Sequence, residues 1–139
     1  TIQVELGGKQ APKVTGGPIC CTAVVEKVTD GRFCNEGPMF HGLQMNYGET
    51  ALLRIEGVQV IVCSNHAQPY DMGIYYHCGI DPAKKKILAV KSAVHFRAHY
   101  QTIAKEILDV EVPALACMRP QMLPMEHCRR PIYPLDDLT

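Results

Sequence analysis

The first half of the chain alternates apolar and polar residues in the way that β-strands do. Residues 2–6 alternate with a period of two and run into Gly7-Gly8, which predicts a half-buried strand that ends in a turn. Residues 19–28 are rich in β-branched side chains and are followed by Thr29-Asp30-Gly31, a tight-turn signal. We therefore expect a hairpin whose second strand is Arg32–Cys34.

A second hairpin and a long loop are predicted in the next stretch. Residues 51–55 and 58–63 are apolar runs that flank Glu56-Gly57, which predicts two more antiparallel strands. Residues 35–48 lie between the two hairpins and contain three glycines and a proline without any periodicity. We interpret them as a long irregular loop, a kind of segment that is often functional.

Helical and strand patterns alternate in the second half. Asp71 is placed to cap a short helix that runs to Cys78 and ends with Gly79 in the left-handed conformation. The continuous apolar run at residues 87–90 predicts a strand buried on both faces. Residues 108–112 predict a last strand.

Between these two strands an amphipathic helix is predicted, because four apolar residues recur there at helical spacing: Phe96, Tyr100, Ile103 and Ile107. The tail from Pro120 holds four of the ten prolines and is expected to lie extended over a surface. The fold class we predict is α+β, with a mixed, largely antiparallel sheet, two helices and an extended proline-rich carboxyl-terminal tail.

Length and charge narrow the choice of function. A chain of 139 residues is long enough for one core, so we treat residues 1–139 as a single domain. Fourteen basic residues balance fourteen acidic ones, which disfavours binding to nucleic acid or to an anionic membrane. No apolar run approaches the roughly 20 residues that span a bilayer, and we expect a cytoplasmic protein. The chain begins with a strand pattern rather than Met, so we expect it to be cut from a larger protein.

The cysteines do not form a recognisable ligand set. There are seven, an odd number, and no two of them form a CxxC pair, so a tetrathiolate zinc site and a disulfide framework are both disfavoured. We expect reduced thiols. Cys63 and His66 could serve as nucleophile and base only with a turn between them.

The best candidate for chemistry is the predicted junction between strand and helix. Lys91, Ser92, His95 and Arg97 lie together there, and the start of a helix favours anions, so the segment could bind a carboxylate or another oxyanion. The alternative is that Ser92 only caps the helix and the charged side chains are solvated. His95 and His99 are four residues apart and could share a metal ion, but the intervening acid of HExxH is missing.

Five separated sequence blocks stand out along the chain: Gly31-Arg32-Phe33 with Asn35-Glu36-Gly37-Pro38-Met39, then Gln68-Pro69-Tyr70-Asp71, Gly79-Ile80-Asp81-Pro82, Lys91-Ser92-Ala93-Val94-His95-Phe96-Arg97-Ala98, and Arg130-Pro131-Ile132-Tyr133-Pro134-Leu135-Asp136. Their order and spacing resemble the carboxyl-terminal domain of MlrC-family proteins. The blocks extend over nearly the whole chain.

This resemblance implies a two-domain protein whose amino-terminal domain carries the zinc ligands and acts on small peptides, such as linearised products of microcystin breakdown. No metal ligand is carried over to this chain. The block from Lys91 to Ala98 is expected to face the cleft between domains, where Lys91, Ser92, His95 and Arg97 would position a substrate carboxylate or stabilise an oxyanion. From the loop block, Arg32, Asn35 and Glu36 are further candidates for substrate binding. His99 departs from the family pattern and is expected at the surface.

Two functions remain open from the sequence. In the first, the domain is part of a zinc metallopeptidase, is inactive alone, and supplies substrate-binding groups, with His95 as the candidate catalytic residue. Its partners would be the amino-terminal domain and a small peptide. In the second, the domain is a non-catalytic structural or dimerisation module of a homo-oligomer.

Overall fold

The computed structural model describes residues 1–112, 119–123 and 125–137. The chain divides into two compact units. The first comprises Thr1–Ile2 and Thr22–Ile107, and the second comprises Gln3–Cys21 and the described residues from Leu108 onward. The single domain inferred from chain length stays a prediction.

The described part of the chain contains six strands and three short helices. The strands are β1 (Ile2–Leu6), β2 (Ile19–Thr29), β3 (Arg32–Cys34), β4 (Gln44–Asn46), β5 (Thr50–Ile55) and β6 (Val58–Cys63). The helices are α1 (Pro12–Thr15), α2 (Gly73–His77) and α3 (Arg97–Tyr100), with 3-10 turns at Pro82–Lys84 and Pro120–Met122. A four-stranded sheet has the order β1-β2-β5-β6, and β3 pairs with β4 in a separate sheet. The predicted α+β class is confirmed.

The hairpin predicted at residues 51–63 is confirmed, but the first predicted hairpin is wrong. β5 and β6 pair in antiparallel register from Thr50↔Cys63 to Ile55↔Val58. β2 pairs with β5 instead of β3, ending at Thr29↔Thr50. β3 leaves this sheet because Phe33 is buried with Tyr47, Ile74 and Cys78, and its strand pairs with β4 inside the segment that we expected to be an irregular loop.

Gly31 makes this change of direction sterically feasible. Its φ is 63°, and a Cβ atom there would lie 2.1 Å from the Gly48 carbonyl oxygen. The Tyr47 N–H donates a 2.8 Å hydrogen bond to the Gly31 carbonyl oxygen, which holds the start of β3 against the end of β4. Only glycine combines this backbone conformation with so close an approach.

The short helix predicted after Asp71 is confirmed, but its N-cap is Met72, and Asp71 bonds to it from one residue further back. α2 begins at Gly73, the Asp71 Oδ1 atom accepts the Gly73 N–H at 2.7 Å, and Gly79 has a left-handed φ of 81°. Helix α1 was not predicted, although its first residue is Pro12 and Gly16 ends it in the left-handed conformation. Pro at the start and Gly at the end are the ordinary signals of a helix.

Both strands predicted in the second half are wrong. Residues 87–90 form no ladder, and Ile87 is 86% exposed, while Leu88 and Val90 pack against the cluster that contains Phe96. Residues 108–112 are exposed and also form no strand. An extended apolar segment becomes a strand only where the edge of another strand is available to pair with it.

The amphipathic pattern identified a buried face but not a long helix. Only Arg97–Tyr100 are α-helical, and the chain continues in turns. All four predicted apolar residues nevertheless pack in one cluster with Met72: Phe96, Tyr100, Ile103 and Ile107. Over its described residues, the proline-rich tail holds only the turn at Pro120–Met122 and one at residues 133–135.

We predict that Gly31→Ala destabilises the fold far more than Gly42→Ala. Both glycines have positive φ, but a Cβ at Gly42 would meet nothing within 4 Å, whereas one at Gly31 would overlap backbone. Gly42→Ala should therefore lower the free energy of unfolding by about 1–2 kcal/mol from backbone strain alone. Gly31→Ala should lower it by more than about 3 kcal/mol. Urea unfolding of both variants tests this, and equal losses would refute the steric argument.

Candidate functional site

A buried carboxylate connects several of the sequence blocks described above. Asp71 is 1% exposed, and its two oxygens accept backbone N–H groups from different segments. Oδ2 accepts the Gly37 N–H and Oδ1 accepts the Gly73 N–H, each at 2.7 Å. A carboxylate is stable in a protein interior only when its oxygens are hydrogen-bonded in this way. Asp71 therefore ties two distant segments of the chain together, and we call this contact the buried junction.

His99 completes this junction, so the expectation that it lies at the surface is wrong. Its side chain is 13% exposed, and its Nδ1 atom lies 3.2 Å from Asp71 Oδ2 and 3.1 Å from the Met72 nitrogen. When Nδ1 carries the proton it donates to Asp71, and otherwise it accepts the Met72 N–H, so it has a partner in either tautomer. The ring fits because residue 37 is glycine: a Cβ there would lie 2.3 Å from Nδ1.

The junction joins two of the sequence blocks to the residue that follows a third. Gly37 belongs to the loop block, Asp71 to the second block, and His99 directly follows the block that begins at Lys91. Tyr100, the next residue, donates its hydroxyl to the Asp71 carbonyl oxygen at 3.3 Å. Burial raises the pKa of Tyr100, so it remains a donor well into the alkaline range.

Gln68 forms a second junction three residues before Asp71, and the sequence analysis did not identify it. Its Nε2 donates to Ser92 Oγ at 2.8 Å, and its Oε1 lies 3.2 Å from His95 Nδ1. Its carbonyl oxygen accepts the Tyr47 hydroxyl and the Tyr70 N–H, both at 2.9 Å. Two of the predicted site residues, Ser92 and His95, are thereby brought to one side chain.

The four residues predicted around the helix start have different environments. Lys91 and His95 are exposed, whereas Ser92 and Arg97 are half-buried. The Arg97 guanidinium carbon lies 5.4 Å from the centre of the Phe96 ring, a cation–π distance. The residues directly before this segment form no strand. Helix α3 begins at Arg97 with Phe96 in the capping position, so Ser92 does not cap the helix. The junction of strand and helix on which the oxyanion argument was based does not form.

The three predicted residues of the loop block also differ. Arg32 is exposed in β3, and its N–H donates to Asp30 Oδ1 at 3.1 Å. Asn35 is 1% exposed, and its backbone closes the loop by bonding to Gly42 and Leu43. Glu36 is exposed and directly precedes Gly37, the residue tied to Asp71. The side chain of Glu36 is therefore exposed next to a fixed backbone position, while the buried Asn35 stabilises the loop through its backbone hydrogen bonds.

No group of three or more His, Cys, Asp or Glu side chains in residues 1–112, 119–123 and 125–137 could hold a metal ion. His95 is bonded to Gln68 and His99 faces Asp71, so the two histidines do not converge. These residues do not fit a zinc site.

The structure describes six of the seven cysteines. All six of them are free: Cys20, Cys21, Cys34, Cys63, Cys78 and Cys128. Burial raises the pKa of the Cys63 thiol, which disfavours the thiolate that a nucleophile beside His66 would need. No helix among the described residues is long and apolar enough to cross a bilayer.

We predict that Asp71→Ala lowers the free energy of unfolding by about 3–5 kcal/mol. The reason is that two backbone N–H groups and the His99 ring lose the carboxylate that they contact. Asp81→Ala is the matched control, since Asp81 Oδ1 accepts the N–H two residues later at 3.1 Å, as Asp71 Oδ1 does, but at an exposed site. Its loss should be about 1 kcal/mol. Asp71→Asn, which keeps one acceptor, should fall between them in chemical denaturation. Similar losses for Asp71→Ala and Asp81→Ala would show that burial adds nothing.

Comparison with known proteins supports the family resemblance. The family model described as MlrC C-terminus matches residues 1–127. No curated protein matches the sequence. A crystal structure described as a "Putative metallopeptidase" from Mesorhizobium sp. BNC1 is similar, with a TM-score of 0.85 and 28% identity. The similarity covers 100% of this chain but only 27% of that one. The chain belongs to the MlrC carboxyl-terminal domain family.

Proposed function

We propose that this chain is the part of an MlrC-like zinc metallopeptidase that shapes the substrate cleft against an amino-terminal zinc domain. The observation that supports it is the contact of Gln68 with both Ser92 and His95. A hydroxyl and an imidazole are thereby held side by side, and the imidazole is exposed. Groups held in advance in this way lose little entropy when a substrate binds.

The charges of the same segment suit a peptide. Lys91 is an exposed cation and Arg97 is a second one close by in sequence, and either can bind a substrate carboxylate or stabilise a developing oxyanion. Ser92 and His95 supply neutral hydrogen-bonding groups. Arg32 and Glu36 are candidates for contacts to a longer peptide from the loop block.

The zinc ligands in this proposal lie outside the chain, in the amino-terminal domain. The similar metallopeptidase structure is far longer than the region that it shares with this chain, which is consistent with a further domain. The substrates proposed are small peptides, such as linearised products of microcystin breakdown, and the location proposed is the cytoplasm. The chain alone is proposed to be inactive.

A second candidate is a structural or dimerisation module. It is favoured by a row of exposed apolar side chains in an extended segment, which other protein surface would cover: Leu108 at 74%, Val110 at 79% and Val112 at 58% exposure. In this case the bonds of Gln68 would only stabilise the fold.

We predict that His95→Ala in the full-length protein lowers kcat/KM for peptide hydrolysis by about 10²-fold or more, the scale of a lost proton-transfer group. Because His95 is exposed, the free energy of unfolding should change by less than about 0.5 kcal/mol. Steady-state kinetics and thermal unfolding measure the two effects.

His127→Ala is the control, since it removes an exposed histidine from the carboxyl-terminal tail. It should leave kcat/KM unchanged. Near-normal hydrolysis by His95→Ala, with altered stability or altered sedimentation, would instead support the structural or dimerisation module.

We also predict that the 139-residue chain binds no stoichiometric zinc, whereas the full-length protein binds it tightly. The reason is that the described residues contain no ligand set of three. Metal analysis after dialysis against zinc tests this. Tight binding of one zinc ion per chain would place the metal site here and overturn the assignment to the other domain.

A further inference from the structure

We infer that Gln68 is a positioning residue that holds His95 in the Nδ1–H tautomer and so makes Nε2 the hydrogen-bond acceptor of the ring. The inference concerns the protonation of one side chain, and its catalytic consequence rests on the proposed function. It also means that, in the segment from Lys91 to Arg97, the two cations act as hydrogen-bond donors and His95 Nε2 acts as an acceptor.

The backbone of Gln68 is fixed independently of its side chain. Its carbonyl oxygen accepts two hydrogen bonds, from the Tyr47 hydroxyl and from the Tyr70 N–H. Tyr47 is 3% exposed, and burial raises its pKa, so its hydroxyl stays protonated and keeps donating through the neutral and mildly alkaline range. The amide of Gln68 therefore extends from an anchored position.

Both ends of this amide are occupied. The NH₂ group donates to Ser92 Oγ at 2.8 Å, and the oxygen faces His95 Nδ1 at 3.2 Å. An amide oxygen can only accept, so the neutral imidazole must place its one hydrogen on Nδ1 to complete the contact. The partner of one ring nitrogen sets the state of the other, and Nε2 is left with its lone pair.

The consequence is that His95 Nε2 can bind the hydrogen-bond donors of a peptide. An unprotonated Nε2 accepts a hydrogen bond from a peptide N–H or an amino group, or takes a proton from water. In this neutral form it cannot donate to a developing oxyanion. Stabilisation of negative charge then falls to Lys91 and Arg97, which are donors only.

The reversed amide orientation predicts the opposite result, which makes the inference testable. If Gln68 presented its NH₂ group to the ring, Nδ1 would have to accept and Nε2 would carry the hydrogen. Ser92 does not decide between the two, because a hydroxyl can both donate and accept.

The experiment is 15N NMR of the full-length protein with labelled histidine at alkaline pH, where imidazole side chains are neutral. The His95 signals are assigned by their absence in His95→Ala. We expect the Nδ1–H pattern in the wild type, with Nε2 shifted as an unprotonated nitrogen. The Nε2–H pattern in the wild type would overturn the inference.

Variants separate positioning from mere packing. Gln68→Met removes both hydrogen bonds at similar volume, and it should convert His95 mostly to the Nε2–H tautomer, which a histidine side chain favours in water. Gln68→Glu keeps an acceptor and should retain Nδ1–H. Gln44→Met, at an exposed site of β4, is the control and should change nothing. Retention of Nδ1–H in a folded Gln68→Met would also overturn the inference, and if that variant does not fold, the wild-type spectrum and Gln68→Glu still decide.

Kinetics distinguish this inference from the proposed function. If both hold, Gln68→Met lowers kcat/KM by about tenfold or more, as happens when the partner that orients a functional histidine is lost, and Gln68→Glu restores part of it. If His95→Ala is fully active while the Nδ1–H tautomer is observed, the proposed function fails and the role of Gln68 stands. If His95→Ala is inactive but the Nε2–H tautomer is observed, the proposed function stands and the role of Gln68 is refuted.

Discussion

The carboxylate of Asp71 has to be hydrogen-bonded because it is removed from water, and much of the first unit is arranged to meet that need. One oxygen takes an N–H from Gly37, 34 residues away in sequence, and the other takes the N–H of Gly73. The His99 ring lies against the same carboxylate. Any segment that moved would leave a buried polar group without a partner, which costs about 1–3 kcal/mol for each group and more for a charge. The loop block, the start of α2 and the turn of α3 therefore hold one another in place.

The candidate site depends on this constraint. Gln68 lies three residues before Asp71, and its amide reaches Ser92 and His95 in the segment that His99 ties down. The buried junction thus determines where the exposed imidazole stands, even though the two are separate hydrogen-bond networks. A substitution at the buried junction would be expected to affect both stability and the site, whereas one at His95 would affect only the site. This difference is what allows structural and functional roles to be distinguished by experiment.

Local signals in the sequence predicted the elements that depend on neighbouring residues. The β5–β6 hairpin closes over two residues, and the start of α2 is hydrogen-bonded to Asp71 while Gly79 follows its end. The elements that were predicted wrongly depend on a partner far along the chain. Arg32–Cys34 pairs with β4 because Phe33 enters the core, and the apolar residues 87–90 meet no strand edge at all. Apolar pattern reports which side chains seek burial, but it does not report what will cover them.

The sequence by itself determined the family, through its ordered blocks, and the α+β class, and it predicted candidate site residues between Lys91 and Arg97. Tertiary structure decided which of those residues meet. It buried Asn35, covered most of the His99 side chain, left Lys91 and His95 exposed, and made Gln68 the link between Ser92 and His95. The physical reason is that these contacts join groups 24 to 34 residues apart, where periodicity and turn chemistry have no influence and only the packing of whole segments determines distance.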